Sequence, residues 1–171
     1  MRERLIRFSL PQGDDRTKET LRIMREIAKR SDDWRSVKNQ AVGVISSFDP
    51  RAKLNQIMAV HNFVGDRMVY VPDIHGVEEI QAPWIHIDRI QKTGSSFGDC
   101  DDYALLGVSL MRAVGFPTAF SAIATGRRGP NFDHVRAAVN YEGKWVALES
   151  TAKGRPVGWE IPHVREIRLE V

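Results

Sequence analysis

The stretch that decides the fold lies between residues 99 and 114 and reads DCDDYALLGVSLMRAV. After Asp102, every residue except Ser109 and Arg112 is apolar, aromatic or glycine. A helix that is apolar on nearly all sides is a buried central helix. A glycine and then a proline follow the stretch, in the order that ends a helix. The sequence therefore predicts a buried helix that starts at about residue 99.

The single cysteine, Cys100, opens this helix. Unpaired N–H groups and the positive end of the dipole favour a thiolate there and offer donors to an oxyanion. Asp99, Asp101 and Asp102 crowd the thiol, and like charge raises a thiol pKa. Asp99 and Asp102 have the spacing of an N-cap and the third helical residue, so they can serve the helix and point away from sulfur. A lone cysteine is also commonly a small buried hydrophobic residue, so a partner base is needed.

A predicted hairpin supplies that base. Strands are expected over about 132–140 and 144–150, joined by a short turn at Glu142-Gly143. If the loop has an even number of residues, opposed positions sum to 285. His134 and Glu149 are then diagonal neighbours on one face, about 7–8 Å apart at the backbone. A three-residue loop would instead flip the relative faces.

These residues form a candidate catalytic triad. Cys100 would be the nucleophile, His134 the base, and Glu149 the carboxylate that orients the imidazole. The alternative is structural: His134 on a half-exposed strand face, and Glu149 a solvated residue paired with Arg136. A zinc site that uses the cysteine and a histidine is also conceivable, although no clustered pair of ligands supports it.

A family resemblance appears at these residues. The stretch from Gly98-Asp99-Cys100 to Gly115-Phe116-Pro117 resembles the nucleophile helix of transglutaminase-like domains. Asp133-His134-Val135 resembles their histidine strand, and Trp145–Thr151 resembles the strand that normally ends in Asp-Pro-Thr. The motifs follow the family's chain order, and Asp66–Val71 resembles its usual lead-in.

The resemblance implies an α+β, papain-like fold with the cysteine helix packed against an antiparallel sheet. It also implies acyl transfer on an amide through a thioester, without a cofactor, by Cys100, His134 and Glu149. Two departures are visible, because Glu149 replaces the usual aspartate and Ser150 the proline after it. The chain resembles the small stand-alone members of bacterial and phage genomes, so calcium regulation is not carried over from the animal cross-linking enzymes.

The whole chain, residues 1–171, is expected to form one domain. Its helical N-terminal part covers about 14–69 and its catalytic core about 94–151. Short strands are expected over 3–10 and 165–171, helices over about 17–30 and 33–47, a third helix from Asp49-Pro50, a further strand over 118–125, and an irregular stretch over 70–98.

Gln81 and Trp84, in the stretch expected to be irregular, are candidates for an oxyanion donor or a groove wall. Packing in the core is the alternative for both. His61 lies on the apolar stripe of the third helix, where a hydrogen-bonded core histidine is expected. Metal-ligand spacing is lacking for the other three histidines, which are His75, His86 and His163. The basic segment 126–130 is expected to be the tip of a hairpin.

Composition limits the function classes. The 171 residues include 25 Lys and Arg against 22 Asp and Glu, for a net charge of +3, and the charges are interleaved. This pattern indicates a solvated surface and argues against a nucleic-acid partner.

One cysteine excludes an intramolecular disulfide, and no apolar run approaches the ~20 residues that span a bilayer. The expected location is the cytoplasm of a bacterial or phage-infected cell, and the oligomeric state is left open.

Two functions from different classes follow. The first is a cysteine-dependent amide hydrolase or acyl transferase that acts on a peptide or another amide. The second is a non-catalytic binding or assembly module on the same fold, for example among phage structural proteins. Thiol reactivity separates the two, because a catalytic cysteine is expected to have a low pKa and a structural one to be inert.

Overall fold

The architecture is described by a computed structural model, which covers residues 5–8, 13–31, 34–74, 78–127 and 129–171. Within these ranges the chain forms five helices and eight strands. The helices are α1 (Asp14–Ser31), α2 (Arg35–Ile45), α3 (Lys53–Arg67), α4 (Pro83–Thr93) and α5 (Cys100–Ala113). The strands are β1 (Leu5–Phe8), β2 (Met68–Tyr70), β3 (Glu78–Gln81), β4 (Ser96–Gly98), β5 (Thr118–Ala124), β6 (His134–Tyr141), β7 (Lys144–Leu148) and β8 (Arg165–Glu170).

The helix that opens with Cys100 is the centre of the molecule. Every residue of α5 from Asp101 to Met111 is buried, which confirms the prediction made from the apolar stretch. One side of α5 faces an antiparallel sheet with strand order β7-β6-β5-β8, and α1, α2, α3 and α4 also contact it. The predicted α+β, papain-like fold is confirmed.

The predicted hairpin register is also confirmed. Tyr141 pairs with Lys144 and Ala137 with Leu148, so opposed positions sum to 285. Glu142 and Gly143 form a two-residue loop with φ of 51° and 78°. Positive φ at both central residues is the turn that matches strand twist, and glycine adopts it without strain. The even loop places the residues after Leu148 beside the start of β6.

The stretch over 70–98 is more regular than the sequence indicated. It contains β3, the 11-residue helix α4 and β4. Proline and glycine often interrupt regular structure, and the segment contains Pro83 and Gly94. Pro83 is instead the first residue of α4, where no N–H is needed, and Gly94 ends the helix with φ 89°. The prediction of an irregular segment is therefore wrong for most of this range.

Helices α1 and α3 begin at other residues than the sequence predicts. Asp14 and Asp15 lie inside the first turn of α1 and do not precede it. The third helix begins at Lys53, three residues after Pro50, because residues 49–51 form a separate turn closed by the Arg51 N–H on Asp49 Oδ1 at 2.7 Å. On α3 the apolar residues Ile57 and Val64 are buried as the stripe predicts, whereas Leu54 and Met58 of the same stripe are exposed.

Two small sheets complete the fold. β1 pairs antiparallel with β3, and β2 pairs in parallel with β4. Part of the predicted 3–10 strand, and His75, lie outside the described residues. No helix within the described ranges is long and apolar enough to cross a membrane.

Candidate active site

The N-terminus of α5 places Cys100 as the first helical residue. Asp99 is the N-cap, and its carboxylate accepts the Asp101 N–H at 3.0 Å, as the sequence predicts. The Asp99 carbonyl accepts the Tyr103 N–H at 3.1 Å. No hydrogen bond to the Cys100 N–H is found among the described residues. That amide is therefore a candidate donor to an oxyanion formed at the sulfur.

The thiol of Cys100 is held in its protonated form. Burial raises its pKa well above the ordinary value, and the negative charges of Asp101 and Asp99 raise it further. The sulfur donates to Asp101 Oδ1 at 3.7 Å, so Asp101 is the acid that turns toward the sulfur. The helix dipole favours a thiolate, but burial and the two carboxylates outweigh it. The like-charge effect that the sequence indicates is therefore present beside the thiol, from Asp101 and Asp99.

His134 and Glu149 lie in direct contact. The imidazole Nε2–H donates to both carboxylate oxygens of Glu149, at 3.0 and 2.9 Å. The hydroxyl of Thr151 donates to the same carboxylate. Glu149 is 1% exposed, so this carboxylate is buried but hydrogen-bonded. The predicted contact is confirmed, and it leaves Nδ1 as the ring nitrogen available to exchange a proton.

Asp133 fixes the start of the histidine strand. Its carboxylate accepts the Thr125 backbone N–H at 2.8 Å and the Thr125 hydroxyl at 2.6 Å. These bonds tie the end of β5 to the residue before His134. The acid next to the histidine therefore closes a loop and does not act as a second orienting carboxylate.

One effect from the histidine strand opposes the raised thiol pKa: the backbone N–H of Val135 lowers the pKa of Cys100. The hairpin explains why this donor is available. Alternate residues of β6, including Ala137, direct their N–H groups toward β7. Because β7 ends at Leu148, opposite Ala137, the Val135 N–H extends past the last strand pair. His134 directly precedes Val135 in the chain, and among the described residues no hydrogen bond joins its imidazole to the sulfur.

The alternative ion pair between Glu149 and Arg136 does not form. Arg136, which is 3% exposed, pairs with Glu160 at 2.9 Å and with Glu166 at 3.4 Å. Both partners come from the C-terminal part of the chain. Glu149 is therefore free of a competing cation and bonds to His134.

Asp102 joins three elements behind the cysteine. Its Oδ1 accepts the Gln81 backbone N–H at 2.9 Å and lies 3.4 Å from His86 Nε2, without the angle of a hydrogen bond. A Cβ at Gly98 would lie 2.1 Å from Asp102 Oδ2, so only glycine fits there. The prediction that Asp102 caps α5 is wrong, because the helix turns its side chain inward toward β3 and α4.

Gln81 and Trp84 are both engaged in packing. The Gln81 side chain accepts from Arg89 and extends its amide toward Asp102 Oδ2 at 3.4 Å. The Trp84 ring packs edge-to-face on Trp34, with the planes 85° apart. This is the packing role that the sequence allowed for both, and an oxyanion role for either stays a prediction.

One group of side chains at the start of α5 has the spacing of metal ligands. Within the described residues, Asp99, Cys100 and Asp101 form the one cluster of potential ligands, with ligand atoms within 4.8 Å of one another. Asp99 caps α5 and Asp101 accepts from the thiol, so these ligand atoms already take part in hydrogen bonds. His61 is a buried, hydrogen-bonded histidine, as expected.

A cavity of about 320 Å³ lies at the opposite end of α5, lined by residues that include Lys53, Phe116 and Tyr141. A 14-residue helix is about 20 Å long, so this cavity is remote from Cys100. Exposed apolar side chains lie nearer the cysteine on β2 and β4, where Val69 pairs with Phe97.

Comparison with known proteins agrees with the fold. The family model of the transglutaminase-like superfamily matches residues 41–150, and the chain belongs to this superfamily. Among curated proteins, none matches the sequence.

Solved structures are similar to this chain at low sequence identity. A candidate protease of Parabacteroides distasonis is 14% identical, with a TM-score of 0.54, over 86% of this chain and 30% of that one. A candidate cysteine protease from Cytophaga hutchinsonii is 17% identical, with a TM-score of 0.47, over 68% of this chain and 37% of that one. LapG of Legionella pneumophila is 21% identical, with a TM-score of 0.47, over 75% and 70%. This chain thus spans about a third of the length of the first two proteins.

Proposed function

We propose that the protein is a cysteine-dependent amide hydrolase that acts through a thioester intermediate. The observation that carries the proposal is the two-oxygen contact between Glu149 and His134 Nε2, because His134 begins the strand β6 that packs against the helix opened by Cys100. A buried carboxylate on one ring nitrogen fixes the tautomer and stabilises the imidazolium. The other nitrogen, Nδ1, is left for chemistry.

The reaction proceeds in two halves. In the first, the Cys100 thiol proton passes to His134 Nδ1 while the sulfur attacks the substrate carbonyl carbon. The C–N bond then breaks, and the amine leaves with the proton from Nδ1. The Cys100 N–H donates to the oxyanion. In the second half, a water gives a proton to Nδ1 and attacks the thioester, and the C–S bond breaks. The sulfur then takes the proton back from Nδ1.

The raised thiol pKa determines how the first half starts. Burial and two neighbouring carboxylates keep the resting cysteine neutral, so no thiolate–imidazolium pair is stored before substrate binds. His134 therefore acts as a general base during attack, as it would for a serine nucleophile. Such a mechanism requires an accurately oriented imidazole, which the Glu149 contact supports.

A panel of amides tests the proposal. The purified protein is incubated with peptide amides and with peptidoglycan-type amides, and free amine release is followed. We expect release from at least one class, with complete loss in Cys100→Ala. That variant removes one sulfur at the first residue of a helix, so its loss of stability is expected to be below the ~2–5 kcal/mol of a large core truncation. Equal release by the variant would exclude Cys100 as the nucleophile.

A second function is favoured by the thiol itself. A cysteine whose pKa is raised by burial, Asp101 and Asp99 also suits a non-catalytic binding or assembly module, such as a partner of phage structural proteins. In that case no amide of the panel would be hydrolysed. The thiol would also react with iodoacetamide at the same rate in the wild type and in His134→Ala.

A further inference from the structure

The His61 side chain connects helix α3 by hydrogen bonds to the segment that follows β7, which contains Glu149. This side chain is 4% exposed, and its Nε2 lies 3.0 Å from the Arg155 carbonyl oxygen. A carbonyl only accepts, so Nε2 carries the proton. In the neutral ring Nδ1 is then an acceptor, and the Ser150 hydroxyl lies 3.1 Å from it. The tautomer of His61 is therefore fixed by two partners.

Ser150 is the residue directly after Glu149, and it is 7% exposed. Its backbone carbonyl also approaches α3, because a Cβ built on Gly65 would lie 3.3 Å from that oxygen. His61 and Gly65 are four residues apart and so lie on one face of α3. This face holds the Glu149–Thr151 segment by a hydrogen bond and by a close backbone contact.

We propose that His61 and Ser150 are positioning residues for Glu149 and, through it, for His134. β7 ends at Leu148, so sheet pairing no longer holds Glu149. The family resemblance gives proline at position 150, which would restrict the backbone directly. Here the Ser150–His61 hydrogen bond fixes the segment by tertiary contact. The glutamate that replaces aspartate has one more rotatable bond, which increases the need for such a constraint.

The proposal rests on the proposed function only for its kinetic consequence, so its test has two readouts. The first is the kinetics of amide hydrolysis. Ser150→Ala is expected to lower kcat by about tenfold or more, because a small misplacement of an orienting group is costly, and to leave KM unchanged. The matched control is Ser109→Ala. Ser109 is fully buried in α5, and its hydroxyl has no hydrogen-bond partner among the residues that the structure describes, so its removal is expected to leave kcat unchanged.

The second readout does not depend on activity. ¹⁵N NMR of the imidazoles reports which ring nitrogen of His134 carries the proton. In the wild type we expect the Nε2–H tautomer, and in Ser150→Ala a mixture of tautomers, with Ser109→Ala like the wild type. His61→Asn keeps an acceptor near the Nδ1 position and is expected to retain more of the Nε2–H tautomer than His61→Leu.

The outcomes separate the two proposals. A wild type that hydrolyses no amide but loses its His134 tautomer in Ser150→Ala would contradict the proposed function and support the positioning role. A Ser150→Ala protein with wild-type kcat and wild-type tautomer would overturn the positioning role and leave the hydrolase intact. An equal change of the His134 tautomer in Ser109→Ala would also overturn the positioning role, because the effect would then not be specific to the hydrogen bond between Ser150 and His61.

Discussion

The two sides of the candidate active site are prepared to different degrees. On the histidine side, Nε2 contacts both oxygens of a buried carboxylate at 2.9 and 3.0 Å. On the cysteine side, the thiol donates to Asp101 at 3.7 Å and has a raised pKa. The proposed base is thus oriented in the resting structure, whereas the raised pKa keeps the thiol of the proposed nucleophile protonated.

This difference shows that the resting structure favours orientation of the imidazole and does not favour ionisation of the thiol. Orientation of a base depends on fixed hydrogen bonds, which the sheet and α3 supply at no further cost during catalysis. Ionisation of a thiol depends on charge, and Asp99 and Asp101 oppose it. We infer that proton transfer occurs only in the transition state, and the following variants alter one side at a time.

Removal of the Glu149 charge should have the largest effect on the histidine side. Glu149→Gln keeps the shape of the side chain but removes the charge that stabilises the imidazolium. Turnover is expected to fall by about 10²–10⁴-fold, measured as kcat on any hydrolysed amide of the panel. The melting temperature should change little, because the change is isosteric.

The matched control is Glu160→Gln, which makes the same chemical change at a carboxylate that pairs with Arg136. It should retain wild-type kcat. Wild-type turnover in Glu149→Gln would mean that another group orients His134.

Removal of the Asp101 charge should have an intermediate effect on the cysteine side. Asp101→Asn takes away the second-largest cause of the raised thiol pKa, after burial. The thiol pKa should fall toward the ordinary value, and iodoacetamide should alkylate Cys100 several times faster at about pH 8. Asp88→Asn, at an exposed acid paired with Lys92, is the control and should react at the wild-type rate. A slower reaction in Asp101→Asn would show that Asp101 assists deprotonation.

Alkaline pH should produce the smallest effect, on stability. The pKa of Cys100 is raised by burial, and burial raises the pKa of Tyr103 to about 12. The folded state therefore binds more protons than the unfolded state above about pH 9, so the free energy of unfolding falls as pH rises. Denaturant titrations at about pH 8 and pH 10 should show this fall, and Cys100→Ser should reduce it. An identical slope in Cys100→Ser would mean that the Cys100 pKa is not raised.

The sequence predicted the parts of the fold that depend on local patterns. The α5 helix follows from a long apolar run with Asp99 as its cap. The contact between His134 and Glu149 follows from counting across a two-residue loop. In both cases the periodicity of one element, or the parity of one turn, determines the result. The catalytic roles of Cys100, His134 and Glu149 stay predictions.

The parts that sequence reasoning missed depend on context or distance. Pro83 and Gly94 could break a segment or bound a helix, and only packing against α5 and β4 distinguishes the two. Asp101 and Asp102 are adjacent acids, yet helix phase turns one to the sulfur and the other to Gln81. The Ser150–His61 bond joins residues 89 positions apart, and no local pattern indicates such a pair. A hydroxyl in place of the family's proline was the one available signal.

The most direct test of the account is acyl transfer from p-nitrophenyl acetate, followed by p-nitrophenolate release and by mass spectrometry of the protein. We expect a burst and an acetyl group on Cys100 that hydrolyses with turnover in the wild type. In His134→Ala we expect much slower acetylation of Cys100, because the neutral thiol has lost the base that takes its proton. The central claim would be contradicted if Cys100 were acetylated and deacetylated at the same rates in the wild type and in His134→Ala.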